Sequence, residues 1–161
     1  MRVIRREAEA RGLDSAKIGA MACSAGSHLS LLLALSSRSP DPYRPVDALD
    51  ATPQPPLAWL VAMCPAYVLT DGLEGPNAGG GVGAALDPVF ALDEASCPVC
   101  FFHGSADQYS PLGSKLLAEK LRGKGVHAEL YIDEGRGHGP IGPEPFRNLA
   151  LPFLRRTGVL K

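Results

Sequence analysis

The stretch from Lys17 to Leu35, KIGAMACSAGSHLSLLLAL, most constrains what this chain can become. Ile18 to Ala22 is a short run of apolar and small residues, the length of a buried strand. It turns through Cys23, Ser24, Ala25 and Gly26 and enters an apolar segment from Leu29 to Leu35 that reads as a helix. A serine at a sharp strand-to-helix turn is held in a strained backbone conformation, with its hydroxyl pushed clear of the sheet, the geometry of a nucleophile elbow. The usual pattern is Gly-x-Ser-x-Gly, and here it reads Ala22-Cys23-Ser24-Ala25-Gly26. Alanine keeps the first position small, so the turn stays sterically possible although the match is weaker.

The rest of the chain alternates strands with helices. RVIRREAEAR at 2–11 is helical in composition and stops at Gly12. The spacing predicts a first strand over 17–22, a helix from Ala25 to about Ser37, and a loop rich in prolines and acids from Ser39 to Pro56. Leu57 to Met63 is a continuous apolar run, as expected of a strand buried on both faces. Tyr67 to Ala95 is a long connection with a glycine cluster at Gly79-Gly80-Gly81-Val82-Gly83 and one short helix near Ala84 to Leu92. A third strand follows at Pro98 to His103. Ser110 to Lys124 is a helix closed by Gly125, Val126 to Ile132 a fourth strand, and Glu144 to Arg156 a last amphipathic helix. Such alternation implies an α/β fold, a doubly wound, mostly parallel sheet with helices on both faces.

In an open parallel sheet, functional groups collect beyond the carboxyl ends of the strands. Three residues of complementary chemistry fall there: Ser24 after the first strand, Asp107 after the third, and His138 after the fourth, in Gly137-His138-Gly139. Ser, Asp and His in this chain order match an α/β-hydrolase triad. The histidine takes the serine proton and returns it to the leaving group, while the carboxylate fixes the imidazole tautomer. Each residue also has a plainer reading. Ser24 suits any tight turn, Asp107 could cap the helix that begins near Ser110, and Asp133 or Glu134 could replace Asp107 as the acid beside His138. His28 reads as structural, His103 sits inside or at the end of a strand, and His127 reads as exposed.

With 161 residues the chain can build one domain with a real core, but not two comfortable ones. A net charge of −1, without any Lys/Arg run, argues against nucleic acid or an anionic membrane as the main partner. Of the four cysteines, Cys97 and Cys100 form a Cys-x-x-Cys, a spacing used by redox and metal sites. The motif leads into Phe101-Phe102 in a strand rather than opening a helix, so the two read instead as small buried hydrophobes.

The segments IGAMACSAGSHLS, CPVCFFHGSADQYSP, GVHAELYIDEGRGHG and FLRRTG cover nearly the whole chain. Together they resemble the esterase and lipase branch of the α/β-hydrolases, especially the acetylxylan esterase and feruloyl esterase-like enzymes related to the dienelactone hydrolase and prolyl oligopeptidase folds. The resemblance implies Ser24 as nucleophile, Asp107 as acid and His138 as general base. It also implies hydrolysis of short-chain carboxylic esters through an acyl-enzyme, with acetyl esters on a carbohydrate such as xylan as substrate and no metal or organic cofactor. Serine at the elbow separates the chain from the dienelactone hydrolases, which typically use cysteine there; Cys23 sits one residue early and is expected to point elsewhere. Three other functions compete: a prolyl oligopeptidase-type serine peptidase, a catalytically weak or inactive interaction module, and a thiol–disulfide protein using Cys97 and Cys100.

Members of that branch carry upstream strands and a His-Gly-Gly oxyanion loop before the elbow. No such motif precedes Ser24, and Gly79-Gly80-Gly81 follows it. The expectation is therefore a single α/β-hydrolase-like domain over 1–161 that is incomplete at its N-terminus, with the N–H of Ala25 as the one oxyanion donor in sight. MRVIRREAEARGLDSAK has no signal-peptide core. The compartment stays open: cytoplasmic as the chain stands, secreted if an upstream signal was lost. The strand before Ser24 would keep one unpaired edge, and an open apolar edge favours association. The isolated chain is expected to form a dimer or larger homo-oligomer through that edge, and a clean monomer by light scattering at micromolar concentration would count against it.

Overall fold

A computed structural model describes residues 2–35, 57–66 and 96–161. The proline-rich loop, the glycine cluster and the short helix expected near Ala84 to Leu92 lie outside the described residues. Four strands form one parallel sheet in the order β1 (Ala20–Cys23), β2 (Leu60–Met63), β3 (Val99–Gly104) and β4 (Ala128–Asp133). The register sets Cys23 beside Met63 and Met63 beside Phe102, so Ser24 and Cys64 leave the ends of β1 and β2 in the same row. Both residues have positive φ, 55° and 38°. Side chains larger than glycine rarely take that conformation outside a constrained turn.

Successive strand residues point to opposite faces, and here both faces are covered. Leu60, Ala62, Val99 and Phe101 pack under Leu31, Ala34 and Leu35 of α2 (Ala25–Leu35) and under Leu117, Ala118 and Leu121 of α3 (Leu112–Gly123). Val61, Met63, Cys100 and Phe102 meet Ala150, Phe153 and Leu154 of the C-terminal helical stretch on the other side. Two-sided burial explains why β2 and β3 are uninterrupted apolar runs. Cys97 belongs to the first cluster and Cys100 to the second, at 3% and 0% exposure, and both are free thiols. They cannot pair with each other or reach a partner, which removes the thiol–disulfide reading.

Most element boundaries differ from the sequence expectation, and three of the differences have a visible cause. The first strand starts at Ala20 instead of Lys17, because Asp14 accepts from the N–H of Ala16 and folds Ser15–Lys17 into a 3₁₀ turn. The first helix, α1 (Arg2–Glu7), gives way to a second 3₁₀ turn at Glu9–Arg11 before Gly12, at φ +66°, lets Leu13 N–H return to the carbonyl of Ala8. The last helix is three joined pieces, Pro143–Pro145, a π-helical Phe146–Ala150 and Leu151–Arg156. Pro152 lacks the N–H that an α-helix would give to Asn148, and its ring crowds that carbonyl, so the preceding turn widens.

β1 has one strand neighbour among the described residues, and Met21 on it is 51% exposed. No helix of the described residues is long and apolar enough to cross a membrane. At the other end of the sheet, Glu129 of β4 is held by His127, by the hydroxyl of Tyr131 and by two bonds from Arg156 at 2.9 and 2.7 Å. Burial alone would raise its pKa, but the bonds from Arg156, Tyr131 and His127 outweigh it and hold the carboxyl at about 2.

Two predictions follow from this packing. Phe101→Ala empties a fully buried site under two helices and should cost about 3–5 kcal/mol in urea denaturation. A carboxylate whose folded pKa is depressed stabilises the fold above its unfolded value and loses that contribution as pH falls toward the folded one. Wild type should therefore lose more stability than Glu129→Gln between about pH 5 and pH 2, against an unfolded Glu pKa of about 4.3; parallel curves for the two proteins would refute the assignment.

Candidate active site

Ser24 is placed by a set of bonds that tie the end of β1 to β2. Its N–H donates to the carbonyl of Met63 at 2.9 Å, and its own carbonyl accepts from His28 N–H as α2 begins. Ser27, fully buried one turn on, directs its hydroxyl to the carbonyls of Ala22 and Met63 at 2.7 and 2.9 Å and accepts from Met63 N–H at 2.9 Å. His28 Nδ1 donates to the carbonyl of Ala66 at 2.8 Å, as a structural histidine would. Small residues at Ala22 and Gly26 let the helix start close against the strand, with 3.6 Å between Ala22 Cβ and the place a Gly26 side chain would begin.

Asp107 and His138 are brought together by the turns that leave β3 and β4. Gly104 is the last residue of β3, and a Cβ there would overlap the carbonyl of Arg136, so no other residue permits this approach. The same two turns exchange further bonds: Ser105 N–H to Asp133 O, Ala106 N–H to Arg136 O, and Gly135 N–H to Ser105 Oγ. His138 then lies with Nδ1 at 3.0 and 2.8 Å from the two oxygens of Asp107, and with Nε2 at 2.7 Å from Ser24 Oγ. An ionised carboxylate only accepts, so Nδ1 carries the imidazole proton and Nε2 is left to accept from the serine hydroxyl. The edge of Tyr109 packs against the His138 ring at 5.2 Å between centroids.

Asp107 does not cap α3, whose N-terminus falls at Pro111 without a side-chain cap. Its Oδ1 accepts from Tyr109 N–H at 2.8 Å instead, and its side chain is wholly buried while that of His138 is 25% exposed. Asp133, the alternative acid, pairs with Arg136 at 3.3 Å. His103, expected inside or at the end of a strand, does lie in β3, and it stands behind the carboxylate, a contact the sequence does not show. Its Nε2 lies 2.9 Å from the carbonyl of Tyr109 and 3.3 Å from Asp107 Oδ2, while Nδ1 meets Ser114 Oγ at 2.9 Å. Nε2 faces only acceptors and must carry the proton, leaving Nδ1 to accept from Ser114. Burial lowers the His103 pKa against the opposing pull of the Tyr109 carbonyl and Asp107, which keeps the ring neutral. Its signal in the sequence was a lone polar residue closing the apolar run PVCFFH.

Cys64 was also missed. Its Sγ is 3.3 Å from Cys23 Sγ and 3.3 Å from the carbonyl of Gly139, next to His138. Cys23 does point away from the serine hydroxyl, toward the face of the C-terminal helix. Burial first, and then the neighbouring Cys64, push its thiol up to about 12, so it stays protonated.

No protein-family model matches the chain, and no curated protein matches it. Solved structures do. A thermophilic esterase from the Planctomycetes species Thermogutta terrifontis, Est2, superposes with a TM-score of 0.77 at 25% identity, over 99% of this chain and 61% of its own. Its butyrate-bound form gives 0.77 and 25%, over 99% and 63%. An acetyl ester-xyloside bifunctional hydrolase from Caldicellulosiruptor lactoaceticus shares the fold at a TM-score of 0.71 and 20% identity, over 99% of this chain and 64% of its own. The chain thus spans about three fifths of the length of these proteins.

Two substitutions test the framework of the site. Ser27→Ala should cost about 1–3 kcal/mol by leaving the buried Met63 N–H unsatisfied. Gly104→Ala should cost a similar amount, about 1–3 kcal/mol, by pushing the two turns apart. Urea midpoints equal to wild type would show that neither contact holds the ends of the strands.

Proposed function

We propose that this chain, an α/β-hydrolase-like fold whose solved neighbours are esterases, hydrolyses short-chain carboxylic esters through an acyl-enzyme on Ser24. One observation carries the proposal: an unbroken chain of hydrogen bonds from Asp107 through His138 to the hydroxyl of Ser24. In this reading Ser24 Oγ attacks the ester carbonyl as His138 Nε2 takes its proton. Buried Asp107 holds the ring in the tautomer that leaves Nε2 free to do so, and stabilises the imidazolium that forms. His138 then protonates the departing alcohol, and a water activated by the same nitrogen releases the acid. General acid–base help of this kind is worth about 10²–10⁴ in rate.

The oxyanion would be met by the N–H of Ala25. As the first residue of α2 it has no intrahelical carbonyl to bond, and it lies at the positive end of the helix. His103 acts as a positioning residue, since its Nε2–H and the Tyr109 N–H steady the two carboxylate oxygens that His138 Nδ1 meets. A short acyl group is supported by Thermogutta terrifontis esterase 2, solved with propionate and with butyrate bound, and also phosphorylated by paraoxon. That these neighbours are esterases favours esters over peptide amides. Acetyl groups on a carbohydrate such as xylan are the specific substrate we propose from the sequence resemblance.

Hydrolysis of an aryl acetate should be lost in Ser24→Ala, and Asp107→Asn should lower kcat by about 10⁴ through the wrong imidazole tautomer. A fluorophosphonate probe should label wild type at Ser24 and fail to label Ser24→Ala. Aryl acetate turnover that persists unchanged in Ser24→Ala would sink the proposal.

A further inference from the structure

We propose that Cys64, Asp107 and His138, with the fourth position left to solvent, form a binding site for a soft divalent cation of the Zn²⁺ class that switches the hydrolase off. One donor atom from each of Cys64, Asp107 and His138 lies within 4.8 Å of the others. Tetrahedral zinc, with bonds of about 2.3 Å to sulfur and about 2.0–2.2 Å to nitrogen or oxygen, sets its ligand atoms roughly 3.2–3.8 Å apart. The three groups therefore need only modest movements to close on an ion. Thiolate and imidazole select zinc-like ions over magnesium or calcium, which prefer all-oxygen shells.

The donors also sit on fixed backbone. Cys64 follows β2 with its N–H bonded to the carbonyl of Phe102 at 2.7 Å. Asp107 is anchored by Tyr109 N–H and backed by His103 Nε2, the kind of outer contact that orients metal-ligating carboxylates. The quarter-exposed His138 ring gives the ion a way in. Binding releases the Cys64 thiol proton to solvent, and the sulfur exchanges its contact with the Gly139 carbonyl for the metal. The inhibition rests on the ester-hydrolase reading, because a bound ion occupies the imidazole and carboxylate that activate Ser24; the binding itself does not.

Metal-free, fully reduced protein titrated with Co²⁺ should take up one equivalent and develop the near-ultraviolet thiolate-to-cobalt absorption, which Zn²⁺ then displaces. Cys64→Ser should abolish that band. His138→Gln, a change on a solvent-facing loop that keeps the fold, should weaken uptake at least about tenfold, no less than the loss of an outer-shell contact to a ligand. Aryl acetate hydrolysis by wild type should fall with the same Zn²⁺ midpoint and return with a chelator. No thiolate band in wild type, or a band undiminished in Cys64→Ser, overturns the site. Cobalt uptake with the thiolate band in a wild type that cleaves no ester would leave the site standing and count against the hydrolase reading alone.

Discussion

The approach of Gly104 to the carbonyl of Arg136 is the contact on which the geometry of the candidate site depends. Asp107 and His138 are separated by 31 residues, and each lies on a turn beyond a strand end where backbone position is set only by what it touches. The missing side chain at Gly104 lets the two turns share three hydrogen bonds, from Ser105 N–H to Asp133 O, from Ala106 N–H to Arg136 O and from Gly135 N–H to Ser105 Oγ. Ser24 reaches the same place by a separate route, through the Ser27 clamp between β1 and β2. The imidazole of His138 is where these two independently braced halves meet.

Electrostatics follows from that bracing. A wholly buried carboxylate is costly unless its lone pairs are used. Asp107 meets this requirement with a backbone N–H, the Nδ1–H of His138 and the more distant Nε2–H of His103. Because every neighbour is a donor, the carboxylate has one stable orientation and the His138 ring has one stable tautomer. The histidine behind it remains neutral because it is buried, and its Nδ1 accepts a hydrogen bond from the Ser114 hydroxyl.

The parallel order of the sheet and the meeting of Ser24, Asp107 and His138 were legible in the sequence because they rest on local signals: apolar runs, small residues at the elbow, and polar residues just past strand ends. What was not legible depends on tertiary contact. His103 looked like a strand residue because nothing in PVCFFH shows that its ring turns toward Asp107. Nothing in the sequence marks Ser27, a small polar residue just past the elbow, yet its hydroxyl serves two strands at once. Cys64 lies 41 residues from Cys23, and only the strand register places their sulfurs side by side. The helix ends failed for a different reason: Pro152 was in plain view, but a widened turn is a compromise that periodicity does not record.

The two buried thiols at Cys97 and Cys100 carry a lesson about reading motifs. Three residues apart on a helix, two side chains share one surface and can cooperate; three apart along extended chain, an odd step, they are sent to opposite layers. Phe101 and Phe102 already tell which period applies here, and with it that each sulfur is a neighbour of a different helix. The parity of the spacing, taken together with the local backbone, decides whether such a pair is one site or two unrelated pieces of core.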